Sequence, residues 1–317
     1  MTHYKQLDLR KVKTYSISKR KSKVTLKDFA GVYDPKKDNF SKFVSSLPNI
    51  LTAKDLNSFV DDILKAHKSR KPVIVFMGAH VVKVGLSPLL IDLMKRNVIT
   101  CIAMNSAAAI HDVESALMGK TSEDVDSSIQ NGTFGMAKET GDFINGRLNE
   151  GLMDGTAGYG EVLGKALQKA RHANVSILAT AYKLKIPVSV HAAIGTDIIH
   201  QQPTMSGAAT GELSFRDFKV LCNTVKDLRG GGVVMNIGSA VVLPEVFLKA
   251  ITVVRNLGFK AFRFTTANFD MVQHYRPRMN IVSRPTKNGG KGYMFTGHHE
   301  IMIPLLCAMI KNKLGSK

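Results

Sequence analysis

The residues able to do chemistry fall into five short clusters, each following an apolar run. They are Gly78-Ala79-His80, Asn105 to Asp112, His191 to His200, Ile237-Gly238-Ser239-Ala240, and Thr266 to Asp270. Small residues recur in all five, and they let backbone N–H groups come close to a phosphate or a ribose. A carboxylate such as Asp270 at the end of a strand suits a ribose hydroxyl pair. His80, His111, His191, His200, His298 and His299 flank expected element ends, which permits acid–base work or metal ligation. Asp197 and His200, three residues apart, fall on one helical face. No His-Glu-x-x-His or comparable metal pattern accompanies them. The bland reading is that these are tight strand-to-helix turns, with Gly and Ala chosen for packing. Gly155-Thr-Ala-Gly-Tyr-Gly160 lacks the glycine order of the dinucleotide fingerprint and reads as a helix-breaking loop.

These clusters need a scaffold that brings strand ends together. Pro72–Met77 is a β-branched run closed by Gly78, so it reads as a buried parallel strand. Further strands are expected at Ile99–Met104, Pro187–His191, Gly232–Asn236 and Lys260–Thr265. Helices are expected at Thr52–Lys68 with Thr52 as N-cap, Leu86–Arg96, Ser214–Leu228, Pro244–Leu257 and Gly297–Lys313. A long helical stretch, Asp112–Lys183, is broken at Gly132, Gly151 and Gly155–Gly160. Alternating strand and helix predicts an α/β fold: a doubly wound, Rossmann-like parallel sheet with helices on both faces. Residues 1–50 are expected to form a basic N-terminal extension, and residues 51–317 the folded domain.

Composition narrows the function. With 317 residues, 44% hydrophobic and 22% charged, the chain is that of a globular protein. Its apolar runs fall short of the ~20 residues of a membrane span, and the N-terminus lacks the apolar centre of a secretion signal. Cys101, Cys222 and Cys307 show no metal or redox spacing, which points to a reducing, cytoplasmic setting. A net charge of +19 could serve nucleic acid. Its densest cluster is local, from Arg10 to Lys23, and no nucleic-acid motif accompanies it; a solvated surface or subunit-contacting arm is the expected reading.

The strand-end series, Thr265-Thr-Ala-Asn-Phe-Asp270 and the final Glu300–Ile310 segment with Pro304-Leu305-Leu306 resemble deoxyhypusine synthase. Gly85-Leu-Ser-Pro-Leu-Leu-Ile-Asp-Leu and Ala103-Met-Asn-Ser-Ala-Ala-Ala-Ile-His-Asp112 resemble its bacterial deoxyhypusine synthase-like branch, over about residues 70 to 312. The resemblance implies an NAD-binding fold, a homotetramer, and transfer of an aminobutyl group from spermidine through an enzyme lysine. By position it implies NAD contacts at Asn105, Ser106, Ala107, Gly238, Ser239, Thr266, Ala267 and Asp270. The family's two glycines become Ala107 and Ala108, and its second acid becomes His111. Its catalytic histidine has no counterpart in Gly238-Ser-Ala-Val-Val-Leu-Pro-Glu245. Its imine-forming lysine falls at Ser283-Arg284-Pro285, two residues short of Lys287, itself equally readable as a surface lysine.

Lys287, His111 and Glu245 are therefore the candidate catalytic residues, and no metal is expected. The function read from these features is NAD-dependent transfer of an aminoalkyl group from a polyamine to an amine or a protein lysine. Two alternatives stand beside it: a metal-assisted C–N hydrolase using His191, Asp197, His200 and His298 or Glu300, and a nonenzymatic NAD- or polyamine-binding protein.

Overall fold

The computed structural model describes residues 3–315. A cut after Lys54 divides the chain into two compact units. In the first, single 3-10 turns at Ile17–Lys19 and Leu26–Asp28 precede helix α1, Phe40–Ser46. Asn39 caps α1 by accepting from Lys42 N at 3.0 Å, and Tyr33 meets Phe43 edge-on.

The second unit is built on six strands: β1 Val73–Met77, β2 Cys101–Asn105, β3 Val188–His191, β4 Val233–Ile237, β5 Thr265–Asp270 and β6 Lys291–Thr296. Their order is β3-β2-β1-β4-β5-β6, and every pairing is parallel. This is the doubly wound α/β fold, with its topological switch between β1 and β4. The helices are α2 Leu51–Lys68, α3 His80–Lys83, α4 Ser87–Lys95, α5 Ser106–Met118, α6 Val125–Gln130 and α7 Lys138–Asp154. After them come α8 Tyr159–Ala166, α9 Ile177–Leu184, α10 Gly207–Val225, α11 Val242–Asn256 and α12 His299–Gly315.

Strand alternation divides the core. Ile74, Phe76, Cys101, Ala103 and Val234 pack with Leu221 of α10 and Leu243 and Phe247 of α11. On the opposite face Phe59 of α2 stands 5.7–5.8 Å from Phe269, Tyr293 and Phe295. Phe59, Phe269 and Phe295 are buried and contribute roughly 1.5–3 kcal/mol each by leaving water.

Several boundaries depart from expectation, among them the start of α10, which lies at Gly207 and not Ser214. The fifth strand runs from Thr265 to Asp270, not Lys260–Thr265, and β6 was not expected. Thr52 lies inside α2 and does not cap it. Gly151 lies inside α7, because a Cβ there would press on Val162 of α8 at 2.6 Å.

The two sheet edges differ. Along β3, α10 satisfies the outward backbone: Asp217 Oδ2 accepts from Val190 N at 2.7 Å, and Ser214 Oγ bonds Val190 O and Ala192 N. Asp217 Oδ2 also accepts from Gly160 N at 2.9 Å, fixing the start of α8. Burial pushes its carboxyl up to about 8.

Candidate functional site

The chain winds outward from β1 through β2 to β3 on one side, then crosses back to β4 and winds to β6 on the other, so the carboxyl ends of β1 and β4 frame a crevice. The β1 and β4 turns nearly touch there. Gly78 N donates to Ile237 O at 3.0 Å, and a Cβ on Gly78 would stand 2.2 Å from Gly238 O. Gly238 itself has φ +66 and lies against the His299 ring. His299, 1% exposed, has Nε2 3.1 Å from Phe269 O. A carbonyl only accepts, so Nε2 carries the hydrogen and Nδ1 is an acceptor. That Nδ1 is buried without a partner among the described residues, and the His80 ring is 5.5 Å away.

A chain of amides holds this turn. Asn236 Nδ2 donates to Ser239 O and to Asn268 Oδ1, at 3.0 and 2.7 Å. Asn268 Nδ2 donates to Gln273 Oε1 at 2.7 Å, and Gln273 Nε2 to Phe295 O at 3.1 Å. Both asparagines are fully buried; Asn236 Nδ2 is satisfied twice over, while its Oδ1 has no partner among the described residues.

A second polar group lies at the ends of β2 and β3. Asn105 caps α5 by accepting from Ala108 N at 3.0 Å. Ser106 Oγ donates to Asp197 Oδ2. His200 Nδ1 accepts from Gly195 N and Asp197 N, both at 3.2 Å, so its buried Nε2 carries the proton, 3.8 Å from Asp197 Oδ2. Burial raises the Asp197 carboxyl, against the Ser106 hydroxyl that lowers it. Beside them Thr121 Oγ1 donates to Glu114 Oε2, and so accepts from His111 Nδ1–H at 2.6 Å. This relay leaves His111 Nε2 as the ring's acceptor. Burial lowers the His111 pKa, with Lys83 of α3 lowering it further against Glu114, which favours the neutral imidazole.

The expected site residues divide accordingly. Asn105, Ser106, Ala107, Gly238, Ser239, Asp270 and His111 all stand at the carboxyl edge. Thr266 and Ala267 do not; they are fully buried inside β5, because that strand starts five residues later than expected. Glu245 lies in the first turn of α11, bound to Lys249, to Arg276 at 3.3 Å and to Asn280 Nδ2 at 2.9 Å. Lys249 chiefly holds its carboxyl below the ordinary range. Lys287 precedes β6, at the amino edge. Strands rise ~3.3 Å per residue, so it stands about 20 Å from the crevice and is not brought to it.

Other candidates serve structure. Asp112 caps α9 through Ile177 N, Leu178 N and Ser176 Oγ, and burial pushes it up to about 6. His191 bonds Ser189 Oγ, and burial pushes it down to about 3. Among the described residues no group of three or more His, Cys, Asp or Glu side chains is spaced to hold a metal, and no helix is long and apolar enough to cross a membrane. Thr121 and Lys83 escaped the sequence reading; nothing in the chain's pattern marks a threonine ten residues from a histidine as its partner.

No protein-family model and no curated protein matches the chain. Solved structures do. A protein assigned to the LOR/SDH group from Methanococcus maripaludis S2 superposes with a TM-score of 0.52 at 15% identity, over 82% of this chain and 70% of that one. AgrE in complex with ornithine and NAD+ superposes with a TM-score of 0.54 at 10% identity over 83% of this chain, which spans about a third of AgrE's length (34%). A protein assigned as a deoxyhypusine synthase from Entamoeba histolytica reaches 0.49 at 12% identity, over 87% and 95% of the two chains, and adds no weight. What the first two share with this chain is the doubly wound α/β fold.

Proposed function

We propose that this chain is an NAD-dependent enzyme acting on a carbon–nitrogen bond of an amine, its reaction the transfer of an aminobutyl group from a polyamine such as spermidine to an amine or a protein lysine. The observation that carries the reading is the crevice at the β1–β4 switch, where His299 Nδ1 is a buried acceptor without a donor. A hydroxyl-bearing dinucleotide supplies such a donor, so the residues fit the cofactor. Gly238, Ser239, Asn105, Ser106, Ala107 and Asp270 would hold it, and when bound it supplies a hydride acceptor. The complex of AgrE with ornithine and NAD+ supports the pairing of this fold with an amine substrate.

In this reading His111 Nε2 takes the proton of the substrate ammonium, freeing the nitrogen lone pair. Glu114, through Thr121, stabilises the imidazolium that forms. Asp197 lies beside it to balance cationic substrate charge. Lys287 has no part, being at the opposite edge. Glu245, paired to two cations, acts on the α11 turn and not on substrate. A cytoplasmic homotetramer goes with the resemblance. The metal-assisted hydrolase finds no ligand set among the described residues.

Titration of NADH by its fluorescence, followed by NADH formation from NAD+ with spermidine or ornithine, tests the proposal. Binding and amine-dependent NADH support it. Binding without turnover leaves the nonenzymatic NAD-binding protein, and no NADH binding removes both that reading and the enzyme.

A further inference from the structure

The sheet closes one edge and leaves the other open. At β3, Asp217 and Ser214 take up the outward amide and carbonyl groups. At β6 nothing comparable stands. Lys291 N donates to Phe264 O and Gly297 N to Asp270 O, so the odd-numbered residues of β6 turn their backbone toward β5. By the alternation of a strand, Gly292, Met294 and Thr296 turn theirs outward. Among the described residues no backbone or side-chain group bonds to those outward amides and carbonyls.

Proteins protect such an edge with a lysine, a proline, a bulge or a covering element. β6 has none of these at its outward positions. Its one charge, Lys291, is drawn onto α2, with Nζ 2.9 and 3.0 Å from the Asp62 carboxylate oxygens. All three outward residues are exposed, and Met294 is 47% exposed.

We infer that β6 is a dimerisation edge, on which the β6 of a second copy pairs antiparallel across a two-fold axis at Met294. A second copy is the occupant because the edge is self-complementary. Rotation sets Met294 against its own copy and Gly292 against Thr296, and each pair can exchange both main-chain bonds, about six in all. No charge opposes a like charge in this register, which matters for a chain of net charge +19. The result is one continuous sheet of both copies. The inference is independent of the cofactor reading.

Sedimentation of the full chain at tens of micromolar tests it, together with two variants. Wild type sediments as a dimer or a higher even assembly. Met294→Lys, at an exposed position that tolerates the change, halves the assembly size with an unchanged melting profile. Met294→Cys gives a covalent dimer on mild oxidation, because directly opposed bonded residues hold their Cα atoms ~5.5 Å apart, within disulfide reach. Wild type, with Cys101 and Cys307 buried and Cys222 half-buried against the core on α10, away from β6, does not. A monomeric wild type overturns the inference, as does an assembly that survives Met294→Lys while Met294→Cys fails to cross-link. So does a β6 edge protected from hydrogen exchange only when a different protein is added.

Discussion

Replacing Asp217 by Asn tests how burial sets the charge of a carboxyl that fastens two elements. Its Oδ2 accepts from Val190 N and Gly160 N, and the residue is 2% exposed. The folded carboxyl titrates at about 8, against 3.8 when solvated. The group therefore favours the folded state fully below pH 4. That advantage is lost as pH rises toward 8, since the unfolded chain releases the proton first. Each pH unit in this window is worth ~1.4 kcal/mol, so the contribution falls by about 4 kcal/mol between pH 5 and pH 8. Asn keeps one carbonyl oxygen for both amides and has no proton to lose. Urea unfolding followed by far-ultraviolet circular dichroism suits a chain without tryptophan. Asp217→Asn should match wild type or fall ~1 kcal/mol below it at pH 5, and exceed it by about 3 kcal/mol at pH 8. Asp112 titrates in the same direction in both proteins and cancels in the difference. An equal difference at both pH values would refute the reasoning, for it would mean that Asp217 is ionised throughout.

Two glycine changes should separate crowding from flexibility. Gly78→Ala places a Cβ 2.2 Å from Gly238 O and should cost about 1–3 kcal/mol while weakening NADH binding, read by thermal melting and titration. Gly146→Ala, inside α7 with nothing within 4 Å, should instead stabilise by roughly 0.5–1 kcal/mol and leave binding unchanged. Glu114→Gln should lower amine turnover about tenfold or more. It should also move the acidic limb of the pH–rate profile downward, since the Glu114 carboxylate raises the His111 pKa; an unmoved limb removes the relay from the mechanism.

The first four strands were legible because each is a short run dominated by apolar or β-branched residues and buried on both faces. β5 was not, because Thr-Thr-Ala-Asn-Phe-Asp reads as polar. Its asparagine is buried only through partners on β4 and in the following loop, which no local pattern reveals. β6 escaped because an edge strand carries little burial signal; only Phe295 is buried. At the site, small residues after strands correctly marked the carboxyl edge. Which polar atoms are spoken for depended on contacts far apart in sequence, such as Asp112 with Ser176 and Ser106 with Asp197. Lys287 lies apart from the crevice for a topological reason: the order of motifs along a chain does not fix the edge of the sheet on which a residue emerges.

The central position of β1 also sets a timetable. Its partner β2 follows after fewer than thirty residues, whereas its other partner, β4, arrives about 160 residues downstream. Closing the longer loop costs about 1.5 kcal/mol more in chain entropy, and pairings so distant in sequence slow folding. During synthesis Val73–Met77 must wait with one flank unmatched until most of the chain has emerged. The crevice between the two halves is therefore among the last features to form, and the waiting flank is the point at which a nascent chain is most open to mispairing.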